Sequence, residues 1–107
     1  MDIDEYVEWA RHLGPMPTMP EATEEHLALL GLGLVSDVGE VAGALKKRLS
    51  DGTLDRERLA HELGDVLYYW ARLCAVTRLT PSELLDRSRS NIEARYAMRL
   101  KRTQSQS

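Results

Sequence analysis

Apolar residues in the first half of the chain recur at steps of three and four, the spacing that places side chains on one face of a helix. Ile3, Tyr6, Val7, Ala10 and Leu13 predict a short helix over 2–13, and Leu27, Leu30, Leu34, Val38, Val41, Leu45 and Leu49 predict a long one over about 21–49. A third stripe, Leu59, Leu63, Val66, Leu67, Trp70, Leu73 and Val76, predicts a helix over about 55–78. Three prolines in G14-P-M-P-T-M-P20 remove backbone donors and fix an extended linker between the first two helices. Thr18 or Thr23 is placed to cap the second helix, with Glu21, Glu24 and Glu25 at the positive end of its dipole. S50-D-G-T53 ends it, Gly52 making the turn after Lys46, Lys47 and Arg48. Thr80-Pro81-Ser82-Glu83 reads as a capping box with proline at the first helical position, opening a fourth helix over 81–101, with 103–107 as a frayed tail. No segment alternates with the period of two that a strand requires. The expected fold is all-α and four-helix bundle-like, either one bundle or half of a larger intertwined one, in a single domain spanning 1–107.

Length and charge narrow the classes of function. At 107 residues the chain can bury one modest core, and association between copies often supplies the remaining apolar burial at this size. Of 17 acidic residues 14 lie in positions 1–65, against 6 of the 14 basic ones, so the remaining third carries 3 acids and 8 bases. A net charge of -3 divided in this way does not fit a duplex-DNA binder, whose whole domain would be basic. It fits an acidic site with basic groups nearby. Cys74 is the only cysteine, which rules out a disulfide framework and a cysteine zinc site, and its apolar surroundings predict a small buried hydrophobe. The opening M1-D-I-D-E-Y is acidic rather than basic and apolar, and the longest uncharged apolar run, 27–35, is too short to cross a bilayer. The expectation is a cytoplasmic protein with neither a membrane nor a nucleic-acid partner.

The chemistry concentrates in two near-mirrored stretches, D37-V-G-E40 and E62-L-G-D65. Residues three apart on a helix lie on one face, with Cβ atoms about 5–6 Å apart. A single acidic pair of this kind is ordinarily the solvated border of an amphipathic helix. Here both pairs enclose a glycine and both adjoin the apolar stripe. A connection of about four residues makes the second and third helices antiparallel, which can bring all four carboxylates to one small volume. Carboxylates crowded in this way repel one another and lose hydration unless a cation joins them. All-oxygen ligation suits Mg²⁺, with Mn²⁺ as a substitute. Glycine costs about 1 kcal/mol relative to alanine inside a helix. Gly39 and Gly64 are therefore expected to permit close approach, either of the partner helix or of a bulky ligand.

At these residues the sequence resembles the MazG-like nucleotide pyrophosphohydrolases, members of the all-α NTP pyrophosphatase superfamily that also includes dimeric dUTPases and phosphoribosyl-ATP pyrophosphohydrolase. The family pattern is Glu-x-x-Glu on one helix and Glu-x-x-Asp on the next; here the two halves are separated by 21 residues, and the likeness covers roughly 24–99. The resemblance implies a MazG-type bundle assembled as a dimer or tetramer, and hydrolysis of a nucleoside triphosphate to the monophosphate and pyrophosphate in nucleotide-pool house-cleaning. It also implies Mg²⁺ held by Asp37, Glu40, Glu62 and Asp65. Glu40 is the candidate to accept the proton of the attacking water. Lys46, Lys47, Asn91, Arg95 and Arg99 are candidates for the phosphates, although a lysine near a helix C-terminus also answers the helix dipole. Trp9, Tyr68, Tyr69 and Trp70 are available to stack on the base, although most of them read as core, Trp70 above all. Ser36 and Asp37 stand where the family has two glutamates, and Ala94 stands where it has a lysine. His61 precedes Glu62, where the family often has an acid, and reads either as a partner behind the metal ligands or, in preference, as facing solvent. Other readings of the same residues are a related hydrolase of dUTP or a phosphoribosyl nucleotide, or a non-catalytic helical interaction module.

Overall fold

The computed structural model describes residues 1–13 and 23–106, so the proline-rich linker predicted over 14–20 and the candidate cap Thr18 lie outside the described residues. Four helices follow in order, α1 (Ile3–Arg11), α2 (Glu24–Asp51), α3 (Arg56–Thr77) and α4 (Pro81–Gln106), and no strand occurs among the described residues. The fold is all-α, as the periodicity requires.

The N-caps follow local rules. Asp2 caps α1 by accepting the Glu5 N–H at 2.8 Å, a bond that holds its carboxyl below the usual carboxylate range. Thr23 caps α2 through the His26 N–H, and Asp55 caps α3 through the Arg58 N–H. Gly52 closes α2 at φ 78°, a left-handed conformation that glycine adopts without strain. Arg78 closes α3 in the same left-handed region at φ 59°, where no glycine marks the position.

The start of α4 differs from the expected capping box, because Thr80 and Glu83 do not make the reciprocal side-chain bonds. The Ser82 N–H instead donates to Asp4 Oδ1 at 3.0 Å, so α1 caps α4 from 78 residues away. The expected frayed tail is helical through Gln106, with the Thr103 and Ser105 hydroxyls donating to the Arg99 and Arg102 carbonyls.

α3 is the central element, with α2 antiparallel on one side and α1 on another. The core cluster joins α1 to α3 through small side chains, Val7 and Ala10 against Ala71, Cys74 and Ala75, with Tyr6, Tyr68, Trp70 and Leu84 packed around them. Burial raises the Cys74 thiol above its ordinary pKa, consistent with an unreactive core position. Arg72 is also buried here, and its guanidinium donates to the carbonyls of Ala10 and Leu13 at the end of α1.

The described chain does not close a four-helix bundle. α4 packs against α1 through its first turns, and residues 85–105 are exposed. The radius of gyration is 17.8 Å, against about 13 Å for a compact domain of this length. Three of the seven positions of the α2 stripe are uncovered, with Val38 50%, Leu45 48% and Leu49 89% exposed. Among the described helices, α2 is long and apolar enough to cross a membrane by length and composition. That measure takes in more of the helix than the uncharged run 27–35, and Asp37 and Glu40 stand in the middle of α2.

Within the described chain no helix approaches Gly39 or Gly64 closely; the close approach of α2 to α3 falls at Gly33. A Cβ at either position would meet nothing within 4 Å, whereas one at Gly33 would press into the Tyr69 ring. Gly33 is where α2 and α3 need a missing side chain. Gly33→Ala is expected to destabilise by about 1–2 kcal/mol, overpacking outweighing the gain in helix propensity. In a Tyr69→Leu background the same change should be neutral or stabilising. Gly64→Ala is expected to raise stability by up to about 1 kcal/mol. Urea denaturation of the four variants measures all of these effects.

Candidate functional site

The antiparallel register of α2 and α3 pairs Gly33 with Tyr69 and carries Asp37 to the level of Glu62 and Asp65. One carboxylate oxygen from each of Asp37, Glu62 and Asp65 lies within 4.8 Å of the others, and all three residues are partly buried. Oxygens held around one Mg²⁺ at about 2.1 Å would lie roughly 3–4 Å apart. The cluster is therefore close to what a single hard cation needs, and small χ rotations of two side chains would close it. A donor set made only of carboxylate oxygens also matches the preference of Mg²⁺ and Mn²⁺.

Glu40 does not join this group. It is exposed and points along α2 to the next turn of α3, where its Oε2 lies 3.6 Å from Arg58 Nη2. The helical spacing of Asp37 and Glu40 correctly places them near one face. It does not determine which neighbour across the helix pair takes each carboxylate, and Arg58 decides that for Glu40. His61 is exposed, as its sequence position suggested, but it is not without a role: its Nε2 lies 3.4 Å from Asp65 Oδ2. Asp65 thus has a ring nitrogen on one side and the other two acids on the other.

An aromatic series borders the acids. Tyr6 and Trp9 of α1 have ring centroids 5.4 Å apart, Trp9 meets Tyr68 edge-on at 6.4 Å, and Tyr68 meets Tyr69 edge-on at 5.8 Å. The Tyr6 hydroxyl has its pKa raised, first by burial and then by the neighbouring Tyr68 and Asp65. Tyr6 is therefore a neighbour of the acidic cluster, which nothing in the spacing of α1 and α3 along the chain foretold. Trp9 is 48% exposed and so has a free face beside this group. Trp70, expected as core, packs against the α1–α3 cluster.

The basic candidates are not gathered with the acids. Lys47 lines a cavity of about 200 Å³ with Ala44, Asp51, Thr53, Asp55 and Arg58, one turn beyond Glu40. Lys46 is exposed and does not line this cavity. Asn91, Arg95 and Arg99 lie on the exposed length of α4, beyond the first turns that pack on α1. Arg58, which pairs with Glu40, was not among the candidates. Its signal was its place one turn before Glu62 on the same helix face.

The helices and the cluster define an all-α protein with a partly buried three-carboxylate site on its central helix pair. The chain is 34% identical over 76 residues to the Gene 37 protein of Mycobacterium phage L5, an alignment that takes in 66% of this chain and 67% of the phage protein. It belongs to the same family as that protein, whose name states no activity, substrate or partner. No family model matches the chain. No solved structure matches it.

Proposed function

We propose that the protein is a Mg²⁺-dependent nucleoside triphosphate pyrophosphohydrolase of MazG type, which converts a (d)NTP and water to the (d)NMP and pyrophosphate. The observation that carries this reading is the convergence of Asp37, Glu62 and Asp65 from two antiparallel helices, within 4.8 Å of one another and out of full solvent. Three carboxylates so placed repel one another unless they share a cation, and an acidic cluster with no function would be expected to spread into water.

Mg²⁺, when bound, would neutralise phosphate charge and make a water more acidic for attack. Asp37, Glu62 and Asp65 are the residues that would hold it, and His61 orients Asp65. Glu40, one turn from Asp37, is the side chain that completes the set, with its outer oxygen available to accept the water's proton. Lys47 and Arg58 face one cavity beside Glu40 and can receive phosphate oxygens there. Trp9, Tyr6 and Tyr68 offer ring surface for the base next to the acids.

The exposed apolar faces of α2, α3 and α4 support a homo-oligomer, dimer or tetramer. Leu32, Val35, Leu45, Leu63, Ile92 and Tyr96 are all exposed in the single chain. Covering them with a second copy would also bring a basic α4, with Asn91, Arg95 and Arg99, toward the acidic site of its neighbour. The open space over Gly39 and Gly64 lies on the surfaces that such a partner or a bound nucleotide would cover. A cytoplasmic location agrees with nucleotide hydrolysis. The test is product analysis: Mg²⁺-dependent turnover should yield the monophosphate and pyrophosphate, and formation of diphosphate and inorganic phosphate would refute the reading.

A further inference from the structure

We propose that Arg58 is a positioning residue that holds Glu40 outside the acidic cluster, so that a divalent cation entering the site must compete with the guanidinium for that carboxylate. The inference rests on the metal-binding reading above and concerns a residue that is not one of its metal ligands. Asp37 and Glu40 lie three residues apart on α2, yet only Asp37 turns to Glu62 and Asp65. The difference lies on α3. Asp37 faces two acids, whereas Glu40 is drawn by Arg58 Nη2 at 3.6 Å.

The guanidinium is well placed for this role. Arg58 is four residues before Glu62, hence one turn away on the same face of α3. Its Nη2 lies over Gly43, 3.6 Å from where a Cβ would stand, so the side chain crosses α2 at a residue that offers no obstruction. The Arg58 side chain is 32% exposed against 55% for Glu40, so the cation is the more fixed partner and the carboxylate the one free to swing. On release, Arg58 remains in the wall of the cavity it shares with Lys47. A phosphate there would take the place of Glu40, coupling substrate entry to completion of the metal set.

Calorimetric titration with Mn²⁺ alone, without nucleotide, tests this. Arg58→Gln should bind Mn²⁺ about two- to five-fold more tightly than the wild type, the range an exposed ion pair contributes. Glu40→Gln should bind more weakly, and adding Arg58→Gln to Glu40→Gln should change nothing further. Arg58→Lys, which keeps the charge without the fork, should fall between wild type and Arg58→Gln. Unchanged or weaker binding by Arg58→Gln overturns the proposal. So does an equal gain in the Glu40→Gln background, which would mean that Arg58 acts only as a distant like charge. If the wild type binds no Mn²⁺ at millimolar concentration, the metal site itself fails and this inference with it. If the wild type binds and the variants do not differ, only the role of Arg58 fails.

Discussion

Asp65→Asn is expected to lower Mg²⁺-dependent release of pyrophosphate by on the order of a thousandfold, while making the metal-free protein slightly more stable. The two effects have opposite signs for one reason. Asp65 is the most connected member of the acidic cluster, with Asp37 and Glu62 within 4.8 Å and His61 at 3.4 Å. Without a cation its charge adds to repulsion among the acids, and removing that charge relieves it. With a cation, the same charge is a ligand, and losing one of three carboxylates removes several kcal/mol of transition-state stabilisation, at about 1.4 kcal/mol for each factor of ten. Thermal melts with and without Mg²⁺ check both signs: the wild type should gain stability on adding the metal and the variant should gain little. A structural acid with no metal role would leave the Mg²⁺ response unchanged.

Arg72→Met should cost about 3 kcal/mol of a total stability that for most domains is only about 5–15 kcal/mol. Arg72 is 4% exposed, and no carboxylate among the described residues lies within ion-pair distance of it. What it satisfies is the C-terminal end of α1, where it donates to Ala10 O at 2.9 Å and to Leu13 O. The Ala10 carbonyl also accepts the Leu13 N–H at 3.2 Å, and both carbonyls lie at the negative end of the helix dipole, so a buried cation is favoured there. Methionine keeps an apolar stem of similar length but donates nothing, so both carbonyls lose a charged donor, at about 1.5–3 kcal/mol each. Removing the desolvated charge offsets part of this loss, and the two bonds from a charged donor outweigh it. The Arg11 bond to Ala75 O, at 3.5 Å, is too long to substitute. Because α1 carries Trp9, its release should appear as a red shift in tryptophan emission before global unfolding, and an unchanged urea midpoint would contradict the assignment.

Much of the fold was legible because its signals are local. Thr23, Asp55 and Gly52 each act within one turn of their own position, and the stripes of α1 to α3 repeat at helical spacing. One misjudged feature is set by a partner distant in the chain. Asp4 caps α4 across 78 residues, so the Thr80–Glu83 box had a competitor that no local pattern reveals. Arg78 adopts a left-handed conformation without being glycine, and Thr103 and Ser105 continue a helix that their composition argued against.

The candidate site divides in the same way. Helical spacing correctly joined Glu62 to Asp65 and brought Asp37 to them. The direction of Glu40 depends on the interhelical register that sets Arg58 opposite it. The glycines followed the same logic: Gly39 and Gly64 stood out because they lie inside the acidic motifs, while the contact that demands a glycine is Gly33 against Tyr69. The stripes also implied more burial than one chain supplies, since Leu45, Leu49, Leu63 and Leu67 are all exposed.

Release of pyrophosphate by the purified wild-type protein, assayed with Mg²⁺ across a panel of canonical and damaged ribo- and deoxyribonucleoside triphosphates, tests the central claim most directly. The predicted result is stoichiometric monophosphate and pyrophosphate from at least one of them, abolished by chelation and by Asp65→Asn. Absence of pyrophosphate from every nucleotide, with Mg²⁺ and with Mn²⁺ alike, would contradict the account.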